Sequence, residues 1–231
     1  MRTVLGTLVC VALGTLATAA PASPAQNPVQ NPVQNPPLPY HGPAGQMVTV
    51  TASDPSSTTA TLIAWQRHGS HWVRALGPFP AFVGTQGIGE ASETTSHTPA
   101  GVWTLTEAFG IQPTNGTRLP YRQVTENDWW VSDVTSPFYN THYSCAPGTC
   151  SFNEAAGEDL GKAGPVYDHA TVIDYNRSPA VPGKGSAFFL HVASGKPTAG
   201  CVSIPGADLD AVMRWLDPAG HPVINIGISP Q

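Results

Sequence analysis

Charge is scarce in this 231-residue chain: Asp, Glu, Lys and Arg make up 11% of it, and the formal net charge is −5. It carries no basic patch to meet a phosphate backbone, which argues against nucleic acid as a partner. Long apolar runs are also lacking. Beyond the N-terminal segment, no stretch approaches the roughly 18 to 20 apolar residues that a membrane-spanning helix needs. Cysteine is limited to Cys10, Cys145, Cys150 and Cys201. Against these shortages stand 23 glycines and 24 prolines, with abundant Thr and Ser. That composition suits a β-rich secreted fold with many turns.

The N-terminus reads as an export signal. Arg2 supplies a positive start, residues 4–16 are apolar apart from small residues, and Ala17-Thr18-Ala19 offers the small-x-small pattern of signal cleavage. Residues 1–20 are therefore expected to be a secretory signal peptide, too short for a permanent anchor. Bulky Val9 before Cys10 argues against lipidation there. Residues 21–45 read as a Pro-rich linker containing the repeat Asn27-Pro28-Val29-Gln30-Asn31-Pro32-Val33-Gln34-Asn35-Pro36. Proline at this density blocks regular hydrogen bonding and favours extended chain. Two readings stand: a spacer reaching into a polymer mesh, and a remnant of export. The mature chain is expected to be soluble and extracytoplasmic.

Residues 46–231 are long enough for one domain with a full core, and 46–96 are either a separate lobe or its first strands. Strands are expected at 47–51, 59–65, 72–76, 101–105, 170–175, 186–192, 200–204 and 222–228, each β-branched or aromatic and bounded by Gly or Pro. One helix is expected. Leu209, Val212, Met213 and Leu216 fall at i, i+3, i+4 and i+7, and Asp217-Pro218 stops it. The pattern predicts a mainly β fold with one late α-helix.

The cysteines carry the functional argument. Cys10 lies in the export signal. Cys145 and Cys150 flank a turn-prone Ala-Pro-Gly-Thr insert and are expected to pair as a disulfide; zinc is the alternative, but no set of four ligands is evident. Cys201 remains. An unpaired thiol in an exported protein risks oxidation and mispairing, and catalysis would account for it. A thiolate nucleophile needs a base in reach and donors for a developing oxyanion. His191 ends an apolar strand, and Cys201 begins the next after a loop of small residues. The same residues also fit an inert core thiol and a structural histidine.

Together, His191 and the later Thr198-Ala199-Gly200-Cys201-Val202-Ser203 resemble the signature of the L,D-transpeptidases, the YkuD family: a histidine, a spacer, then Ser/Thr-x-Gly-Cys. Upstream, Thr98-Pro99-Ala100-Gly101 resembles the family's Thr-Pro-x-Gly segment, and the resemblance covers roughly residues 80–228. It implies a mixed β-sandwich and an acyltransferase acting on peptidoglycan tetrapeptide stems, with no metal or organic cofactor. Cys201 would be the nucleophile and His191 the base, giving a thioester that an amine resolves into a 3→3 cross-link. Water as acceptor would make it an L,D-carboxypeptidase. The backbone carbonyl after the histidine, here on Val192, would orient the imidazole, with Gly200, Thr198 and Ser203 in positioning or oxyanion roles. The chain departs from many members at Ala199, where they carry His, and at Ser203, where they carry Arg or Asn.

Tyr167 and His169 are expected beside the same cleft. His68, His71, His97 and His142 read as solvated loop residues. Trp129-Trp130 and Tyr139-Asn140 are candidates for a peptide groove, with core packing expected for at least one tryptophan. Partners are limited to peptidoglycan stem peptides, and the chain is expected to be a monomer without a stable membrane anchor. Sortases are disfavoured, since the cysteine follows Ala-Gly and the next arginine is Arg214 in the helix. Papain-like peptidases place Cys before His. A non-catalytic wall-binding protein is the remaining rival.

Overall fold

A computed structural model describes residues 35–230. The expected signal peptide and residues 21–34 of the expected linker lie outside the described residues. Three strands open the described chain as an antiparallel meander: β1 (Gln46–Ala52), β2 (Thr59–His68) and β3 (His71–Phe82). Alternation explains β1. Val48, Val50 and Ala52 enter the main core, while Met47 packs with Trp65 and Trp72 in a smaller cluster on the other side. Between them Thr49 is also buried, and its hydroxyl accepts the Trp65 indole N–H at 2.9 Å. Part of the expected linker joins this cluster: Ala44 is buried in it, and Tyr40 packs edge-on against Trp72.

The chain then forms a two-residue parallel pair, β4 (Ile88–Gly89) with β5 (Thr98–Pro99), followed by β6 (Gly101–Thr104), β7 (Ala108–Gly110) and β8 (Tyr121–Gln123). A separate three-stranded sheet comprises β9 (Asp128–Val131), β10 (His142–Ser144) and β11 (Gly157–Asp159), with β9 central. After it come β12 (Ala170–Val172), β13 (Phe189–Val192), β14 (Val202–Ile204), α1 (Gly206–Trp215) and β15 (Val223–Ile228). The large sheet is ten-stranded and curled, in the order β6-β15-β1-β2-β3-β14-β13-β12-β7-β8. It is mixed: β1 with β15, β13 with β14, and β7 with β8 are parallel, and its other pairings are antiparallel. The expectation of a mainly β fold with one late helix holds.

Helix α1 forms where its apolar spacing demands. Leu209, Val212, Met213 and Leu216 are fully buried against the main core, and Pro205 and Pro218 bracket the segment. Burying each such side chain contributes roughly 1.5 to 3 kcal/mol. Cys145 and Cys150 form a disulfide, and the backbone carbonyl of Cys145 accepts the Trp129 indole N–H at 3.2 Å. Both tryptophans of β9 are core residues: Trp129 packs with Phe152, and Trp130 lies in the cluster around Phe189.

The central pairing for function is β13 beside β14, with Leu190 opposite Val202, His191 opposite Ser203 and Val192 opposite Ile204. Strand alternation divides these residues. Leu190, Val202 and Ile204 enter the core that α1 covers, while Phe189 and Cys201 enter a second cluster with Phe109, Trp130 and Tyr167.

Candidate active site

Cys201 sits just before β14, at the floor of a cleft of about 230 Å³ whose walls include Glu93, Ser132, Glu158, Ser186 and Gly200. It is 8% exposed and is the free cysteine among the described residues. The Phe189 N–H donates to its Sγ at 3.4 Å, and the thiol lies 3.4 Å from the Ala187 carbonyl. Burial holds the thiol well above its ordinary range, and the nearby Glu158 carboxylate adds to that; the bond from the Phe189 amide works against it. In the resting protein Cys201 is therefore a neutral thiol.

The segment ahead of Cys201 is tied at its carbonyl. Thr198 Oγ1 donates to the Cys201 carbonyl at 2.6 Å and accepts from the Gly200 amide at 3.1 Å. Thr98, from the Thr-Pro-x-Gly segment, donates to the same carbonyl at 3.2 Å while accepting the Gly84 amide at 2.8 Å. Both matched segments thus meet at one oxygen. Gly200 has φ +148°, and a Cβ there would stand 2.7 Å from the Phe188 ring and 3.1 Å from the His97 carbonyl. Only glycine fits without displacement.

His191 lies on the same sheet face. It is opposite Ser203, and Cys201 precedes Ser203 by two residues, a diagonal spacing that an imidazole and a thiol can bridge. Its Nδ1 donates to the Val192 carbonyl at 2.9 Å, which leaves Nε2 as the basic nitrogen. Burial pushes the imidazole down, the Val192 bond partly opposing, so it is neutral at neutral pH. The Tyr167 ring stands edge-on to His191, with centroids 5.4 Å apart. Ser203 is 1% exposed, and its hydroxyl has no protein partner among the described residues.

A profile of the L,D-transpeptidase catalytic domain matches residues 55–224. The chain belongs to the L,D-transpeptidase family. It is an acyltransferase, and its substrate is peptidoglycan. Neither a curated protein nor a solved structure matches it.

In this transpeptidase Gly200 and Cys201 line the cleft, Thr198 holds the Cys201 carbonyl, His191 and Ser203 lie opposite each other on β13 and β14, the Val192 carbonyl accepts from His191, and Tyr167 stands edge-on to His191. His169 is placed elsewhere: its ring nitrogens face the Pro113 carbonyl at 3.0 Å and Asp210 of α1 at 2.8 Å. His142 is bonded to Asp128 at 2.8 Å and is half-buried, not a solvated loop residue.

Asn140, a candidate for a peptide groove, takes a buried role instead, and Glu158 escaped sequence reasoning. Asn140 is buried behind the site; its Oδ1 accepts from Trp130 Nε1 at 2.9 Å and the Ala187 amide at 3.3 Å. Glu158 lines the cleft beside Cys201 and accepts the Tyr167 hydroxyl at 2.6 Å. Gly-Glu-Asp offers no local signal, because Glu158 comes to the cleft only through the pairing of β11 with β9, where it lies opposite Trp130.

Proposed function

We propose that this transpeptidase works through a thioester on Cys201, with His191 as the base that serves the acyl-transfer steps. The observation that supports the reading most is the pairing of a cleft-floor thiol with a neutral imidazole on the same sheet face, its Nδ1 already satisfied by Val192. The Cys201 sulfur attacks the carbonyl between the diamino acid and the terminal D-Ala of a tetrapeptide stem. The C–N bond breaks, the departing D-Ala amine takes a proton through His191, and the stem remains as a thioester. An amine on a neighbouring stem then attacks that carbonyl, gives up a proton to His191 and releases the sulfur, forming a 3→3 cross-link. Because Gly200 N–H is engaged by Thr198, the amide of Cys201 is the nearer donor for the oxyanion. The enzyme acts after export, outside the cytoplasmic membrane.

The test is mass spectrometry of disaccharide-tetrapeptide incubated with the mature chain, beside Cys201→Ala. Cross-linked dimers, together with an adduct on Cys201 lacking D-Ala and absent from the variant, are expected. Loss of D-Ala without dimers would instead assign water as the acceptor. Unchanged substrate with the native chain would overturn the assignment.

A further inference from the structure

The cleft beside Cys201 carries charge of one sign. Its polar wall is made of hydroxyls, Thr95, Ser132 and Ser186 among them, and of two carboxylates, Glu93 and Glu158; no Lys, Arg or His stands among the described residues that line it. Glu158 is half-buried and takes the Tyr167 hydroxyl at 2.6 Å. Glu93 is exposed, so holding a charge there carries little desolvation cost. It is also fixed in place. One of its oxygens takes the hydroxyl of Tyr139, itself 4% exposed, and its backbone N–H donates to the Gly183 carbonyl at 3.3 Å. The other carboxylate oxygen is left for a ligand.

We propose that this cleft receives the side-chain ammonium of the donor stem's diamino acid, with Glu93 as the residue that recognises it. The inference deepens the thioester reading and rests on it. The diamino acid side chain hangs from the carbon next to the scissile carbonyl, so a carbonyl placed at the Cys201 sulfur brings that chain against the cleft walls. An ammonium carries three N–H donors. Glu93 takes one, and hydroxyl oxygens serve the others: Ser186 donates to Ser132 at 2.7 Å, which leaves lone pairs on Ser186 for a further donor. The ammonium keeps its proton throughout.

Charge decides what such a cleft accepts. A stem joined to its glycan through its N-terminus has one cationic group, that amine, while its carboxylates are anions. Walls that hold carboxylates and no cation repel the anions and favour the amine. The place of the base then separates donor from acceptor. An acceptor amine must lose its proton to His191, and His191 is not among the residues lining this cleft. The cleft therefore suits an amine that stays protonated, which is the donor's.

Space agrees with this assignment. The cleft of about 230 Å³ holds a side chain but not a whole stem, and the rest has room beyond Ser92 and Thr95, which also line a neighbouring pocket of about 400 Å³. A consequence follows for the polymer. A stem whose own side-chain amine is already cross-linked presents a neutral amide to Glu93, so it is a poor donor, and the enzyme draws its donors from stems with a free amine.

The experiment follows D-Ala release from two synthetic tetrapeptide stems, one with its free side-chain amine and one with a hydroxyl in its place. Enzyme is in excess over stem and below saturation, so only the first acyl transfer is read and no second stem is needed. The native chain is expected to release D-Ala about tenfold faster from the amine stem, the worth of one charge-assisted contact. Glu93→Gln keeps an oxygen for Tyr139 and should treat the two stems alike. Equal native rates overturn the inference and leave the thioester reading standing, as does a preference that survives in Glu93→Gln. D-Ala release from neither stem overturns both. A Glu93→Gln defect confined to the resolution of a preformed thioester by an added amine would give the cleft to the acceptor and also overturn the inference. If Glu93→Gln fails to fold, salt decides on the native chain: a preference that shrinks as ionic strength rises supports the ion pair, and one indifferent to salt overturns it.

Discussion

Replacing Asn140 by alanine should unseat the cleft from behind. Asn140 is 2% exposed and adopts φ +57°, a left-handed conformation that asparagine tolerates better than alanine. Its Oδ1 accepts from the Trp130 indole and the Ala187 amide, and its Nδ2 donates to the Tyr175 and Asn176 carbonyls at 3.1 and 2.7 Å. Alanine removes all four bonds. Two donors are then stranded, on Trp130 at 2% and Ala187 at 7% exposure. Each costs about 1 to 3 kcal/mol, and the left-handed backbone adds about 1 kcal/mol. Water entering the vacated space recovers part of this, so the expected loss is about 3 to 5 kcal/mol. Urea unfolding followed by tryptophan fluorescence, with the disulfide intact, measures it. Asn140→Gly should be about 1 kcal/mol milder, since glycine relieves the backbone but not the hydrogen bonds. The Ala187 carbonyl faces Cys201 Sγ, so acyl transfer should fall as well. A loss below 1 kcal/mol for Asn140→Ala would refute the reasoning, because it would mean that the stranded donors find new partners at no cost.

Three further outcomes are expected. Gly200→Ala should cost about 2 to 5 kcal/mol, combining a backbone that side chains rarely adopt with overlap on Phe188, and should abolish acyl transfer; thermal melting and product analysis check both. Reducing the Cys145–Cys150 disulfide in a Cys201→Ala background should lower stability by about 2 kcal/mol, the loop-entropy value for so short a ring, as read from urea midpoints before and after reductant. His191 is depressed in the folded state, so the unfolded chain binds its proton first as pH falls below about 6.5. Stability should therefore drop on acidification through that range, and His191→Gln, measured in the same pH series, should lack that component.

Much of the fold was legible because its signals are local. The α1 stripe of Leu209, Val212, Met213 and Leu216 needs only a 3.6-residue period, and each of the eight expected strands overlaps an observed one. The runs expected at 170–175 and 186–192 shorten to Ala170–Val172 and Phe189–Val192. Tyr175 and Asn176 leave the sheet to bond Asn140, and Ala187 turns left-handed at φ +58° beside the thiol. Strands β7 to β11 were not foreseen. They are three or four residues long, and Asp128–Val131 is buried throughout, so no alternation betrays it.

The sequence by itself determined the cysteine inventory, the apolar periodicities and the order His191 before Gly200-Cys201. Those are properties of neighbouring residues, and the covalent chain carries them. Only tertiary structure decided which groups surround the thiol. Parallel pairing of β13 and β14 sets His191 and Cys201 on one face, while the three-stranded sheet delivers Glu158 and the segment before β12 delivers Tyr167. That convergence depends on strand register across long sequence separations. Register is settled by what the whole core can bury, which no single segment of the chain encodes.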